Sequence, residues 1–176
     1  KPPPSHPHAT ALAALHRCLR GPIAVLRAII STSSEVFHAT RAATAAPSAQ
    51  PVGVNTASHP ILIVGLGNPG SGYSQTRHNV GSLVLENLAA TSAVFSPWSR
   101  SCGSLVSHGS LGGRDVLLAR PQSFMNLSGR AVRTILQEQQ LEPQRVLVLH
   151  DDLDLAPGRL KLKLGGSSGG HRGIAS

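Results

Sequence analysis

Apolar residues fall into continuous runs and helical stripes, and the regular pattern begins at Ile61. Ile61-Leu62-Ile63-Val64 is an unbroken, largely β-branched run followed by glycines, as in a strand buried on both faces. Val80, Leu83, Val84 and Leu88 recur at helical spacing and predict a helix, with Thr76 placed to cap its start. Residues 104–107 and 115–119 read as strands on either side of Gly112-Gly113, a hairpin pattern. A second helix is predicted over about 126–140, with Leu127, Ala131 and Ile135 inward and Pro143 closing it. Val146-Leu147-Val148-Leu149 is another buried run, and residues 159–164 alternate basic residues with leucine, predicting a half-exposed strand with a basic face. Strands interleaved with helices in this order predict an α/β fold. It is a single three-layer domain with a mixed central sheet flanked by helices and functional groups at strand ends.

Upstream of this domain, residues 1–60 are rich in Ala, Ser, Thr and Pro and carry Lys1, Arg17, Arg20, Arg27 and Arg41 against Glu35 alone. They are expected to be a disordered or targeting tail, with the domain spanning 61–176. Residues 11–30 would suit a basic amphipathic helix of the organelle-import kind, a mitochondrial expectation. A plain disordered extension fits the composition equally, with the cytoplasm as the alternative compartment.

Lys and Arg number 16 against 8 Asp and Glu, a net charge of +8, which favours a polyanionic partner. Half of that excess lies in the tail. Cys18 and Cys102 are split between tail and domain, so they form neither a disulfide framework nor a paired metal motif. The longest apolar run of the tail is interrupted by Arg27, so no membrane span is expected.

The loop after the first run, Gly65-Leu66-Gly67-Asn68-Pro69-Gly70, has the G-x-G-x-x-G form, with Glu86 downstream. A dinucleotide fingerprint needs a helix starting inside the glycine turn and an acid ending the next strand. Pro69, Gly70, Ser71 and Gly72 instead prolong the loop, and Glu86 falls within a helical pattern.

The loop continues through Tyr73 to Thr76-Arg77-His78-Asn79. Three further blocks follow: Arg120-Pro121 to Phe124-Met125-Asn126-Leu127-Ser128-Gly129, then His150-Asp151-Asp152-Leu153-Asp154, then Lys163-Leu164-Gly165-Gly166 to Gly169-Gly170-His171. Four blocks in this order resemble the bacterial-type peptidyl-tRNA hydrolases over about residues 61–173. The resemblance implies hydrolysis of the ester between peptide and tRNA by a monomer, with no cofactor and no metal. It implies His78 as the base, Asp151 as its carboxylate partner, and Asn68 and Asn126 as amides that hold the 3′ end and steady developing charge. It further places Met125, Tyr73 and His171 at the substrate.

The chemistry is coherent on its own terms. A neutral imidazole can take a proton from an attacking water at cellular pH, and a carboxylate on its other nitrogen fixes the tautomer and stabilises the imidazolium. Arg130 and Arg133, one turn apart after the Asn126 motif, are expected on the tRNA phosphates, with Arg77, Lys161, Lys163 and Arg172 as further candidates.

Two departures stand out. Arg172 occupies a position where the family carries asparagine, and the domain is expected to be incomplete at its C-terminus, with a sheet short of partners. A catalytically inactive tRNA-binding remnant is therefore the alternative. A metal-dependent phosphohydrolase built on His150, Asp151, Asp152 and Asp154 is a weaker one, because His78, His108 and His171 are isolated in sequence.

Overall fold

The computed structural model describes residues 26–30, 59–156 and 159–176. Among these described residues, seven strands form one mixed sheet: β1 (Leu26–Ile30), β2 (Ile61–Gly65), β3 (Ser99–Ser101), β4 (Ser104–Leu111), β5 (Arg114–Pro121), β6 (Val146–His150) and β7 (Leu160–Leu164), in the order β3-β4-β5-β2-β6-β1-β7. The central β5, β2, β6 and β1 run parallel, and antiparallel β3, β4 and β7 complete the edges. Helix α1 (Val80–Thr91) and helix α2 (Ser128–Glu138) cover opposite faces, and a short α3 (Arg172–Ala175) follows β7.

The alternation of strand side chains divides the core in two. Ile61 and Ile63 of β2 join Val80, Val84, Leu85 and Leu88 of α1, while Leu62 and Val64 join Ile135 behind α2. A strand buried on both faces must be apolar throughout, and β2 is, with every residue buried. The three-layer α/β architecture read from the sequence is the one observed.

Several details differ. Leu85 is fully buried where Leu83 was expected to point inward. Leu127 is 40% exposed, because residues 125–127 form a 3-10 turn ahead of α2 and shift its phase. Thr76 gives no side-chain cap; its hydroxyl donates to the Tyr73 carbonyl at 2.9 Å. Strand β7 shows no clean basic face: Leu162 and Leu164 are exposed as well as Lys161.

The largest difference lies in the expected tail. Leu26–Ile30 forms β1 between β6 and β7, with Leu26 opposite both Leu147 and Leu164. Its Leu-Arg-Ala-Ile-Ile composition suits a strand, and a strand there pairs the backbone groups of β6 and β7 together. Residues 26–30 are thus extended where an amphipathic helix was considered, and residues 11–25 lie outside the described residues.

Close backbone approach shapes the C-terminal end of the parallel strands. Gly65 faces Gly81 of α1, and Gly81 faces the carbonyl of Leu149, leaving no room for a Cβ at either position. Leu66 N–H donates to Leu149 O at 3.0 Å, and Ser82 N–H to Leu66 O at 3.0 Å. Two glycines thereby draw the start of α1 down onto the C-terminal ends of β2 and β6.

Candidate active site

Two loops at these strand ends carry the chemistry. After β2, residues 71–73 and 77–79 form 3-10 turns that run directly into α1. This turn structure, with no helix starting among the glycines, removes the dinucleotide reading. Glu86 is engaged elsewhere, 3.2 Å from Arg120, whose Nε also donates to Ser82 at 2.7 Å and whose guanidinium lies over Trp98.

The second 3-10 turn presents His78 to Asp151 at the end of β6. His78 Nδ1 donates to Asp151 Oδ1 at 3.0 Å and lies 2.8 Å from Oδ2. An ionised carboxylate only accepts, so the His78 proton sits on Nδ1 and Nε2 keeps its lone pair. The His78 side chain is 51% exposed and Asp151 only 4%, the disposition of a base that meets solvent over a buried partner.

Asp151 has a second donor. His171 Nε2 lies 3.0 Å from the same Oδ1, and the His171 ring packs on His150 at 4.7 Å between centroids. His150 is itself buried, with Nδ1 donating to the Asp151 carbonyl at 2.6 Å. Burial opposes ionisation of Asp151, but the hydrogen bonds from His171 and His78 outweigh it and hold the carboxyl below the ordinary carboxylate range. His78 and His171, isolated in sequence, meet on one carboxylate. The cluster weighed for a phosphohydrolase does not assemble: Asp152 accepts the N–H of Asp154 at 2.9 Å, closing a local turn, and His150 is locked beneath the loop.

A cleft of about 660 Å³ opens over this group. Asn68, His78, Met125, Asn126, Asp151 and His171 all line it. Asn68 accepts the N–H of Met125 at 2.8 Å through Oδ1, so its NH2 end is the one left for the cleft. Met125 is buried in the same apolar cluster as Leu66, its sulfur close against Gly173. Tyr73, 43% exposed, stands outside the lining, as do Arg130 and Arg133 on the exposed face of α2. Lys163, Arg172 and the Ser167-Ser168-Gly169-Gly170 loop form part of the wall.

One positioning residue escaped the sequence reading. Asn79 is buried; its Oδ1 accepts Asn68 N–H at 2.8 Å and its Nδ2 donates to Asn68 O at 2.9 Å. It therefore fixes the Asn68 backbone by both ends. Its only signal in sequence was its place beside His78. Asn79→Ala should leave two backbone groups of Asn68 unpaired, costing about 1–3 kcal/mol of stability, and should lower kcat more than it raises KM, measurable by urea titration and steady-state kinetics.

The peptidyl-tRNA hydrolase family profile matches residues 62–176. The chain belongs to that family. The peptidyl-tRNA hydrolase of Cereibacter sphaeroides is 49% identical over 115 residues, 65% of this chain and 51% of the relative. That of Aquifex aeolicus is 47% identical over 115 residues, 65% of this chain and 59% of the relative. The crystal structure of peptidyl-tRNA hydrolase from Acinetobacter baumannii superposes with a TM-score of 0.62 at 41% identity, covering 67% of this chain and 60% of that one. The chain thus spans about half to three fifths of the length of these peptidyl-tRNA hydrolases, and β1 lies outside the matched region.

Proposed function

We propose that this chain hydrolyses the ester bond between peptide and tRNA in peptidyl-tRNA. The observation that carries the reading is the His78–Asp151 pair at the edge of the cleft, with the ring proton on Nδ1 and the Nε2 lone pair open. Nε2 takes a proton from water as that water attacks the ester carbonyl, and Asp151 stabilises the imidazolium that forms. The Asn68 NH2 group and the Asn126 amide are the uncharged donors for the developing oxyanion and the 3′ end. The imidazolium then returns its proton to the departing ribose oxygen.

The exposed Arg130 and Arg133 are assigned to acceptor-stem phosphates, making tRNA affinity fall with salt. The enzyme is proposed to act as a monomer. The acid-poor N-terminal segment supports a mitochondrial location; a processing cut compatible with β1 would fall before Leu26. No helix among the described residues is long and apolar enough to cross a membrane.

The test is release of the acyl group from N-blocked aminoacyl-tRNA in EDTA, with tRNA retention followed in parallel. Release is the expected result. Retention without release would instead establish the binding-only alternative, which the basic surface alone would satisfy.

A further inference from the structure

Asp151 Oδ1 accepts from both His78 and His171, yet Asp151 Oδ2 is buried without a hydrogen bond, and so is His171 Nδ1. Two imidazoles and one carboxylate converge here, each offering one ligand atom within 4.8 Å of the others. Two of the separations share Asp151 Oδ1, which lies 3.0 Å from His78 Nδ1 and 3.0 Å from His171 Nε2, close to the spacing of neighbouring ligands on a tetrahedral ion with bonds of about 2.0 Å. We propose that His78, Asp151 and His171 form an inhibitory site for a borderline divalent transition-metal ion, of which Zn2+ is the probe.

The donor set selects the ion. Two nitrogen ligands and a single carboxylate suit Zn2+ or Co2+, whereas Mg2+ prefers a shell of oxygens and holds its water. The scaffold is unequal in a useful way. Asp151 is buried and the His171 side chain is 9% exposed, whereas His78 is half-exposed on a single 3-10 turn, so His78 is the ligand that shifts to close the triangle. The fourth position then opens to the cleft.

Inhibition follows from proton placement and rests on the reading of His78 as the base. To ligate through Nδ1, His78 must move its proton to Nε2, the nitrogen that accepts from water. His171 likewise moves its proton from Nε2 to Nδ1. No proton is lost overall, but the open lone pair of the base is gone and the carboxylate that would stabilise the imidazolium is occupied.

The experiment titrates Zn2+ into the whole chain by calorimetry and Co2+ by its visible absorption, with no tRNA present. Hydrolysis of N-blocked aminoacyl-tRNA is followed separately in excess Mg2+ as Zn2+ is added. One ion should bind per chain, and half-inhibition should fall at the free Zn2+ concentration that half-fills the site. His171→Ala and the smaller polar change His171→Asn should each weaken Zn2+ binding by more than roughly 100-fold, because even outer partners of metal ligands carry 10–100-fold. His108→Ala, exposed on β4, should leave binding unchanged. Absence of a one-to-one Zn2+ heat and of a tetrahedral Co2+ spectrum, or affinity indifferent to both His171 changes, overturns the site while leaving metal-free hydrolysis to stand on its own. His171-dependent binding with undiminished hydrolysis overturns the inhibition and, with it, His78 as the base.

Discussion

Asp151→Asn is expected to lower hydrolysis by about 10⁴-fold, the scale on which amidation of the aspartate in a serine-protease triad acts, with a similar or greater loss in His78→Ala. The amide carries no charge for the imidazolium, and its NH2 group would lie against the N–H of His78, which approaches both oxygens of the native carboxylate. With the amide oxygen toward His78 the Nδ1–H bond survives but the charge is lost, and with the NH2 group toward it the ring proton is driven to Nε2, which removes the lone pair of the base. Single-turnover release with saturating enzyme separates this loss from tRNA binding, which should persist in both variants. The same substitution should alter acid stability. The folded carboxyl of Asp151 is held below its ordinary range, so its contribution is present above the unfolded value and is lost as pH falls through the lowered folded value. Acid titration of Asp151→Asn should show a flatter stability curve in that window than the parent chain.

Gly81→Ala should destabilise the domain by about 3 kcal/mol, the upper part of the usual range for overpacking. Its Cβ would strike the Leu149 carbonyl and come within 2.8 Å of Leu66 N. Both neighbours are backbone, so no rotamer change relieves the contact. Helix α1 would have to lift from β6, carrying His78 away from Asp151 and separating two groups now 2.8 Å apart. Urea denaturation should show a lower midpoint. At urea concentrations where the variant remains folded, kcat should still be depressed, because the displacement persists in the native state.

These two sites show what a single chain makes legible. The runs Ile61-Leu62-Ile63-Val64 and Val146-Leu147-Val148-Leu149 announced their strands because a parallel strand covered on both faces has no polar alternative. Gly112 and Gly113, both at positive φ, announced the hairpin because that turn demands the conformation. Within α1, by contrast, Leu83 and Leu85 are chemically identical, and only packing decides that Leu85 goes inside. Leu26–Ile30 is a short segment amid Ala, Ser and Pro, and its place depends on backbone vacancies at β6 and β7 that no local pattern displays.

The site divides along the same line. Asn68, His78, Met125, Asn126, Asp151 and His171 were each singled out through motifs, and the fold gathers all six around one cleft. The resemblance implied roles for His78, Asp151, Asn68 and Asn126, but not how His171 joins them. His171 was expected at the substrate, and its bond to Asp151 emerges only when the loop after β7 folds back over β6. Asn79 was passed over because an asparagine that clamps a backbone eleven residues away looks like any polar residue at the start of a helix.

The position of β1 also sets an order of events. Its partners Leu147 and Leu164 lie far along the chain, and pairings so distant in sequence form late because loop-closure entropy must be met first. During synthesis the first strand of the sheet therefore leaves the ribosome long before either neighbour exists. The hairpin of β4 and β5 can zip early, whereas β7, and with it the arm that delivers His171 to Asp151, must await the return of the N-terminal segment. The contact between His171 and Asp151 is thus expected to form after that hairpin.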